Sequence, residues 1–376
     1  MERHLQFYLY DRDYASPTLA QDLTHRIQRV RMGTALNGGF SFCDFEPRLP
    51  TRDAFYWAEK YHYYRLLAYD AWEGTVWEGR IEDIYPGELG MRVRALGFWS
   101  SCFDQVHQEN YWHTAWTATE IVQDTLGDDC PDIAANYTNL QDTALDIAPQ
   151  TFNDYEKCGQ VIDAVLKLGD NQTPPRKWYF AVWEARVPYL FPRVTDEVDW
   201  EMELRDVAAG GLTLSRSARN LWNRVIALYS AIDPTEGPGA RKATAWAEDT
   251  DSSGIYGDRE YVLSLAGMSD AGADAARDAA LEDMKEPSQY TTARFSGWAW
   301  DAGKRRRPLY MIRAGDVLRI RDLVPEEAMF STPKLDSLRT FFLLETEYDV
   351  DRNTLCVMPD FEGGLLDIMI ARESLR

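Results

Sequence analysis

Histidine and cysteine are the side chains best suited to bind a metal ion or to act as nucleophiles, and this chain has five of each among its 376 residues. His107 and His113 stand six positions apart, which places them neither on one helix face nor together on one strand turn. The sequence has no HExxH, GxSxG or CxxC motif, and it lacks the phosphate-binding patterns GxxxxGK(S/T) and GxGxxG. It therefore predicts no catalytic, cofactor-binding or metal site. The cysteines, which have neither disulfide-framework nor zinc-ribbon spacing, are Cys43, Cys102, Cys130, Cys158 and Cys356.

Paired carboxylates are the remaining route to catalysis, because a glycosidase needs two of them on either side of a sugar bond. Adjacent pairs such as Asp128–Asp129 and Glu326–Glu327 occur, and an acidic cluster spans Thr195–Asp199. With 61 acidic residues in the chain, adjacent pairs arise by chance, so solvated loops are the preferred interpretation of all three. Cell-wall degradation stays open as an alternative activity.

Two other patterns could contact a partner. Lys304–Arg307 is a strongly basic run, which could contact DNA or an acidic protein surface, form a salt-bridged contact with a neighbouring copy, or be an exposed hairpin loop. Tryptophans concentrate at Trp72–Trp77, Trp112–Trp116 and Trp298–Trp300. These rings could stack on sugars, but packing in the core and between subunits is preferred, because aromatic side chains bury much area at low entropic cost.

Charge and composition exclude several classes of protein. The formal net charge of −21 argues against nucleic-acid binding through the general field, although it would let DNA slide past without sticking. No apolar run approaches the roughly 20 residues of a membrane span, and Met1–Phe7 has no signal-peptide character. Widely spaced cysteines fit folding in a reducing cytosol. An aromatic content of 13% favours strands, and the length suggests about two or three domains.

Local patterns predict the elements. Strands with turns fill residues 1–100, where Asn37–Gly39 is a turn and the segment from Gly74 to Phe98 is a hairpin, because Met91, Val93 and Ala95 alternate with arginines. Helices are predicted after the Thr117–Glu120 capping box, over Tyr155–Leu166 and over 269–285. Strands are predicted at Trp178–Ala185 and Asn223–Tyr229, and a loop at Ile232–Gly239. Two hairpins are predicted, one pairing Leu309–Ile312 with Val317–Arg321 and the other pairing Phe341–Tyr348 with Leu355–Met358.

Several short blocks, taken in order, resemble tail-tip and baseplate hub proteins of tailed phages and prophages, including minor tail proteins of siphophages. The resemblance covers residues 37 to 360 and rests on structural motifs rather than on a catalytic signature. The blocks are the early Gly-Gly-aromatic turn, Val76–Asp83, Val93–Trp99, Asn223–Val225, Asp251–Ser253, Tyr256–Glu260, the Ala-rich helix, Arg313–Asp316 and Glu347–Asp349.

The resemblance implies an α+β, β-rich fold with two tube-type β-barrel domains. These would be residues 1–100 and 220–376, the second with the helix 269–285, separated by an α/β insertion domain at 101–219. It also implies a homotrimeric ring that meets the hexameric tail tube above and a spike or fibre below, and that lines the DNA channel.

Expected partners are the tail tube protein, the distal tail protein, the spike or fibre and the tape measure protein. The expected location is the virion tail tip, after assembly in the host cytoplasm, and neither enzymatic activity nor a cofactor is expected. The alternatives are a distal tail adaptor ring, a carbohydrate-binding or wall-degrading tail enzyme, and a secretion-system component that shares the tube fold.

Overall fold

Strands are the most abundant element of the structure, at about 45%, and helices occupy segments between them, so the predicted α+β, β-rich fold class is confirmed. A computed structural model describes residues 5–87, 90–107, 116–147, 156–193, 197–231, 241–323, 339–360 and 364–373. Tyr155, the first residue of one predicted helix, and the predicted loop Ile232–Gly239 lie outside these ranges.

The elements follow the chain in a simple order. The strands up to residue 217 are β1 (Leu5–Tyr10), β2 (Leu19–Asp22), β3 (Ile27–Ala35), β4 (Gly38–Pro47), β5 (Arg65–Asp70), β6 (Gly74–Gly87), β7 (Gly90–Leu96), β8 (Trp116–Thr117), β9 (Asp146–Ile147), β10 (Trp178–Val182), β11 (Pro188–Pro192), β12 (Trp200–Glu203) and β13 (Val207–Ser217). The later strands are β14 (Arg224–Ala231), β15 (Arg241–Ala243), β16 (Ala247–Glu248), β17 (Glu260–Met268), β18 (Ser288–Ser296), β19 (Trp298–Asp301), β20 (Arg306–Pro308), β21 (Val317–Arg321), β22 (Thr340–Asp349) and β23 (Thr354–Pro359). The α-helices are α1 (Thr51–Lys60), α2 (Ala118–Asp129), α3 (Cys158–Leu166), α4 (Thr250–Tyr256), α5 (Asp270–Met284) and α6 (Leu365–Glu373).

Strands β1–β7 and helix α1 form what we call the first half. Neighbouring strands pair antiparallel in the order β2-β1-β5-β6-β7-β4-β3. The predicted hairpin is confirmed as β6 and β7. The turn predicted at Asn37–Gly39 is observed at Leu36–Asn37, directly before β4. Gly39 in β4 has a φ of +81°, and an added Cβ would lie 2.3 Å from the Val182 carbonyl oxygen. Close backbone approach and positive φ together require glycine at this position.

Residues 98–193 form the insert unit, with its own core beneath α2 and α3. The capping box is confirmed, because the Thr117 hydroxyl accepts from the Glu120 backbone N–H at 3.1 Å and the Glu120 carboxylate accepts from the Thr117 N–H at 2.7 Å. Strand β10 is buried along its whole length and pairs in parallel with β4, which joins the insert unit to the first half. The strand predicted to reach Ala185 ends at Val182, because Ala185 adopts a φ of +55° in a 3-10 turn.

The second half comprises β12, β13 and β18–β23. Its strands pair in the order β22-β23-β18-β13, and β21 extends from β22 toward β12, β19 and β20. The hairpin of Phe341–Tyr348 with Leu355–Met358 is confirmed as β22 and β23. The hairpin of Leu309–Ile312 with Val317–Arg321 is wrong, because Leu309–Met311 forms a 3-10 helix and β21 pairs with β12 and β22 instead.

Residues 224–284 form the small unit, in which β14 lies at the centre of a four-stranded sheet and α5 covers one face. The predicted strand at Asn223–Tyr229 is observed as β14, and the predicted helix over 269–285 as α5, which begins after the Ser269 cap.

The two halves share one continuous core, because residues from Leu5 to Val357 pack in a single cluster. Their strands belong to one 17-stranded arrangement, in which β3 of the first half pairs with β22 of the second. Among the described residues no set of strand pairings closes on itself, so the two closed barrels of the sequence prediction are not observed there. In the same ranges, no helix combines the length and the apolar character that crossing a membrane requires.

Candidate functional site

The joint between the halves is the antiparallel pairing of β3 with β22, which sets Thr34 opposite Thr346. Their hydroxyl oxygens lie 2.6 Å apart in a buried position, and Thr34 also accepts from the Ala314 N–H at 2.8 Å. At the exposed end of the joint, Arg31 donates to Glu347 at 3.2 Å. A ladder of backbone hydrogen bonds with buried side-chain bonds fixes the two halves in one register.

A buried carboxylate supports the first half next to this joint. Asp44 on β4 is 3% exposed and receives hydrogen bonds from Arg94 at 2.8 Å, Arg92 at 2.9 Å and Arg31 at 3.4 Å. Burial alone would raise the pKa of Asp44, but the bonds from Arg94 and Arg92 outweigh it and lower the pKa. A carboxylate held by three guanidinium groups is an ion-paired structural element, not a proton donor.

Arg80 connects the first half with the insert unit. This side chain is 5% exposed and pairs with Glu82 at 2.6 Å, with Asp104 and with Asp132 at 3.4 Å, while its guanidinium lies 5.0 Å from the Tyr63 ring centroid. Burial raises the pKa of Glu82 and of Asp132, and the Arg80 charge opposes that rise. Loss of Arg80 would leave the half-buried carboxylates of Glu82 and Asp132 and the exposed Asp104 close together without their cation, so this cluster fixes the insert unit on the sheet.

A cleft of about 320 Å³ lies where the insert unit meets the second half. Arg313 crosses its wall, with its guanidinium 5.2 Å from the ring centroids of both Phe40 and Trp183, and it pairs with Glu184 at 2.5 Å. Asp316 accepts from the Arg313 N–H and from the Trp200 indole N–H, each at 2.8 Å. Burial raises the pKa of Asp316 to about 7, against these hydrogen bonds, which lower it. The cleft therefore holds a carboxyl group that can exchange a proton near neutral pH.

The basic run begins in the exposed turn between β19 and β20 and continues into β20, and most of its charge is neutralised within the chain. Lys304 pairs with Glu201 at 2.5 Å, Arg305 with Asp301 at 3.0 Å, and Arg307 with Glu73 at 2.6 Å. Arg306 differs from its neighbours, since its guanidinium lies over two tryptophan rings. The centroid distances are 6.0 Å to Trp298 and 5.8 Å to Trp300.

The tryptophan-rich segments separate into core and surface. Trp77 is 1% exposed and belongs to the large core, whereas Trp72, in the turn between β5 and β6, is 77% exposed. Trp298 and Trp300 are half-buried, as is Trp116, while Trp112 lies outside the described residues. The predicted packing role fits Trp77, whereas the Trp72 side chain is exposed.

The other candidates do not converge on a reactive site. His107 is buried with its Nδ1 atom 3.1 Å from the Asp129 carboxylate, next to the exposed Asp128, and His113 lies outside the described residues. Asp199 is exposed in the segment before β12, as predicted for a solvated loop, and its carboxylate accepts from the Val317 N–H at 2.8 Å. In the part of the chain that the structure describes, no group of three His, Cys, Asp or Glu residues could hold a metal ion. Further positions outside that part are Thr195, Asp196, Glu326 and Glu327.

Sequence reasoning missed the residues that bring segments together, namely Asp44, Arg80 and Asp316. The alternation of Arg92 and Arg94 indicated a face of β7 rich in arginine, and it could have prompted a search for a buried acidic partner. Nothing in the local sequence distinguishes Asp316 from the other acidic residues.

Comparisons with solved structures identify the fold. No protein-family model matches the chain, and no curated protein matches it significantly. The 43 kDa tail protein of prophage MuSo2 from Shewanella oneidensis has a TM-score of 0.61 at 10% identity, and the similarity covers 97% of this chain and 98% of that one. A tail protein from Neisseria meningitidis MC58 has a TM-score of 0.57 at 9% identity, with the same coverage of both chains. A prophage tail protein from Listeria monocytogenes EGD-e has a TM-score of 0.55 at 9% identity and covers 98% of this chain and 99% of its own. The similarity to phage tail proteins that the sequence predicted is therefore confirmed at the level of the fold, and this chain has the fold of these prophage tail proteins.

Proposed function

We propose that this protein is a structural subunit of a bacteriophage tail, a hub-type ring at the tail tip that connects the tail tube to a distal spike or fibre. The observation that carries the proposal is the fold shared with three prophage tail proteins over 97% or more of this chain. A match over nearly the whole of both chains supports a shared role for the entire chain better than a match of one domain would.

The joint between the halves supports a ring of three subunits. Each chain contributes two β-rich halves joined edge to edge through β3 and β22. In the proposed homotrimer, the first half is the tube-type domain at 1–100. The second half, which adds β12 and β13 to strands of the predicted domain 220–376, is the other tube-type domain, and the insert unit is the insertion domain. Three copies then present six such domains, which match a hexameric tail tube. The distal tail protein and the tape measure protein are further partners in this arrangement.

Charge supports the proposed channel. A formal net charge of −21 repels DNA, so a lumen formed by such chains lets DNA pass without adhesion. The basic run does not oppose this, because Glu201, Asp301 and Glu73 neutralise three of its four cations. We place the protein in the virion, at the tail tip, with no enzymatic role.

The mass of the purified protein and the symmetry of the particle test this proposal. We expect a species of about 130 kDa by native mass spectrometry, three times the 43.2 kDa chain. We also expect threefold density at the tail tip in particle images. Sixfold density would favour a distal tail adaptor ring. A strictly monomeric species at all concentrations, even with tail proteins present, would contradict the ring altogether.

The cleft around Asp316 favours a second candidate, a carbohydrate-binding or wall-degrading tail enzyme. Its aromatic lining and its carboxyl group of raised pKa are features of sugar-cleaving sites. Turnover of cell-wall glycans by the purified protein, lost in Asp316→Asn, would favour this activity over a purely structural role.

A further inference from the structure

Three of the five cysteines, which are far apart in the sequence, meet in the core of the insert unit. Cys102 lies in a 3-10 helix at Phe98–Phe103, Cys130 directly follows α2, and Cys158 is the first residue of α3. Each of the three is at most 2% exposed. The cysteines therefore come from three separate segments that pack against one another.

Backbone contacts hold two of these segments together. The Cys158 N–H donates to the Gln105 carbonyl at 3.2 Å, so the start of α3 is attached to the segment after the 3-10 helix. Helix α3 also approaches that 3-10 helix closely, because a Cβ added at Gly159 would lie 2.5 Å from the Phe103 ring. The fold thus fixes Cys158 next to the segment that carries Cys102.

The thiol groups themselves are in contact. The Cys130 thiol is hydrogen-bonded to the thiols of both Cys102 and Cys158, so it stands at the centre of the three. We call Cys102, Cys130 and Cys158 the thiol row. The two sulfur atoms of a disulfide lie about 2.05 Å apart, and thiols already in hydrogen-bonding contact reach that separation through small side-chain movements.

The surroundings keep the thiol row protonated in the reduced protein. The contact with Cys102 and then burial raise the pKa of Cys130, against the contact with Cys158, which lowers it. The contact with Cys130 and then burial raise the pKa of Cys158, and the Asp129 carboxylate adds to the rise in both. Because the thiolate is the reactive form, we expect the row to react slowly and to favour an oxidant small enough to enter the core.

We propose that the thiol row is a redox site, in which Cys130 forms a disulfide with either Cys102 or Cys158 when the protein meets a peroxide. One thiol is first oxidised to a sulfenic acid, and the peroxide releases one water. The second thiol then attacks that sulfur, and a second water leaves as the S–S bond forms. In total, two thiols lose two electrons and two protons, and hydrogen peroxide is reduced to two waters.

Either bond would join elements of the insert unit. A bond from Cys130 to Cys158 links the end of α2 to the start of α3, and a bond from Cys130 to Cys102 links α2 to the 3-10 helix. Cys130 lies 28 positions from each of the other two, so both bonds close loops of similar length. Closing such a loop stabilises the folded state, because it restricts the unfolded chain.

The occasion for oxidation rests on the proposed function. A tail protein is made in the reducing host cytoplasm, where thiols stay reduced, and it acts outside the host, where disulfides persist. The thiol row then stays open during folding and assembly and closes after the particle is released. The chemistry of the row itself does not depend on the tail role.

Oxidation of the purified full-length chain tests the site. Cys356→Ser is the background for all samples, since Cys356 is half-buried and could link two copies. Hydrogen peroxide should remove the mass of two hydrogen atoms, and peptide mapping without reductant should place the new bond at Cys130. The bond should raise the midpoint of thermal unfolding by about 3–5 °C, and a reductant should reverse both changes.

Substitutions test the central place of Cys130. Cys130→Ala should abolish the disulfide, whereas Cys102→Ala and Cys158→Ala should each retain it through the remaining pair. The double variant of Cys102→Ala with Cys158→Ala should also abolish it while keeping Cys130, which serves if Cys130→Ala does not fold. Cys43→Ala is the matched control, because it removes a buried thiol from the large core and should leave the disulfide intact. Circular dichroism checks the fold of each variant.

The outcomes separate the redox site from the tail role. Thiols that remain reduced in the folded protein under peroxide, or that form sulfinic acid without a bond, overturn the proposal and leave the three cysteines as ordinary core residues. A disulfide that persists in Cys130→Ala also overturns it, because the central thiol is then dispensable. Neither result bears on the subunit mass or the particle symmetry, which test the tail role independently.

Discussion

The core that the two halves share and the core of the small unit are stabilised in different ways. The large core buries whole aromatic side chains, such as Phe7, Phe45 and Trp77. The core of the small unit is built largely from alanines of α5, of which Ala273 and Ala276 are fully buried against the sheet. Small side chains allow close approach of the helix but bury little apolar area, so the small unit gains less hydrophobic free energy.

In the small unit, side-chain hydrogen bonds compensate for the smaller hydrophobic free energy. Asn223, with no exposed area, donates to the Gly257 carbonyl at 2.8 Å and accepts from the Arg259 N–H at 2.7 Å. Asp283 accepts from the first backbone N–H groups of α6, including that of Leu366 at 2.9 Å. The difference between the two regions indicates that the small unit opens before the large core does, because its stability depends on a few individual bonds.

Removing a large aromatic ring from the shared core tests the first side of this comparison. Trp77→Ala is expected to lower the free energy of unfolding by about 3–5 kcal/mol, because the buried ring leaves a cavity. Urea titration followed by circular dichroism measures the loss. Trp72→Ala, at an exposed position, should change stability by no more than about 0.5 kcal/mol. Equal losses in the two variants would contradict the assignment of Trp77 to the core.

Removing one amide tests the second side. Asn223→Ala removes two hydrogen bonds that the fully buried amide makes, one to the Gly257 carbonyl and one from the Arg259 N–H, which costs about 1–3 kcal/mol. Hydrogen exchange read by mass spectrometry should show faster exchange across residues 224–268, with β1–β7 unaffected. Asn220→Ala, an exposed position nearby, serves as the control. If exchange rises uniformly over the chain, the two regions unfold as one unit and the comparison fails.

A pH series sharpens the comparison, because Asp316 belongs to the second half and not to the small unit. Burial raises the pKa of Asp316 to about 7 in the folded protein. The free energy of unfolding is therefore highest at low pH, where Asp316 is protonated, and falls as pH rises from about 4 to about 7. Asp316→Asn removes this pH dependence. The free energy of unfolding of the variant, relative to wild type, should therefore be roughly 2 kcal/mol higher at pH 8 than at pH 5. Parallel stability curves for wild type and variant would show that Asp316 does not hold a proton near neutral pH.

The smallest expected effects come from helix caps. The Ser269 hydroxyl accepts from the Gly272 N–H at 3.0 Å at the start of α5, and Ser269→Ala should cost about 1 kcal/mol, detected as faster exchange in the small unit only. Thr117→Ala is its counterpart at α2, with a similar cost confined to the insert unit. If either substitution changes hydrogen exchange in the unit that does not contain it, the small unit and the insert unit are not independent.

Elements set by neighbouring residues could be predicted from the sequence. The β6–β7 hairpin, the Thr117 cap and the helix after Ser269 follow from periodicity and capping, which act within a few residues. The 3-10 helix at Leu309–Met311 was missed, because a short apolar segment after proline reads equally well as a strand. Within this 3-10 helix, the Tyr310 hydroxyl donates to Asp70 at 2.7 Å, a contact with a distant part of the chain.

The candidate site could be predicted only in part. The sequence identifies the basic run and the tryptophan-rich segments, but it does not show which residues each of them contacts. Arg306 differs from Arg307 only because of what the fold places opposite each of them. Asp44 and Arg80 collect partners from separate segments, and Asp316 has its raised pKa because of the surrounding structure. Such properties arise from tertiary contacts that no local pattern records.

The pairing of β3 with β22 has a consequence for biosynthesis. Thr34 and Thr346, which meet in this joint, are separated by 312 positions. At a translation rate of about 5–20 residues per second, β3 leaves the ribosome roughly 15–60 s before its partner strand is made. During that time the edge of β3 is open to neighbouring nascent chains, so premature pairing between copies is a hazard of expression. Slower growth at low temperature, or a chaperone that shields this edge, should therefore raise the soluble yield.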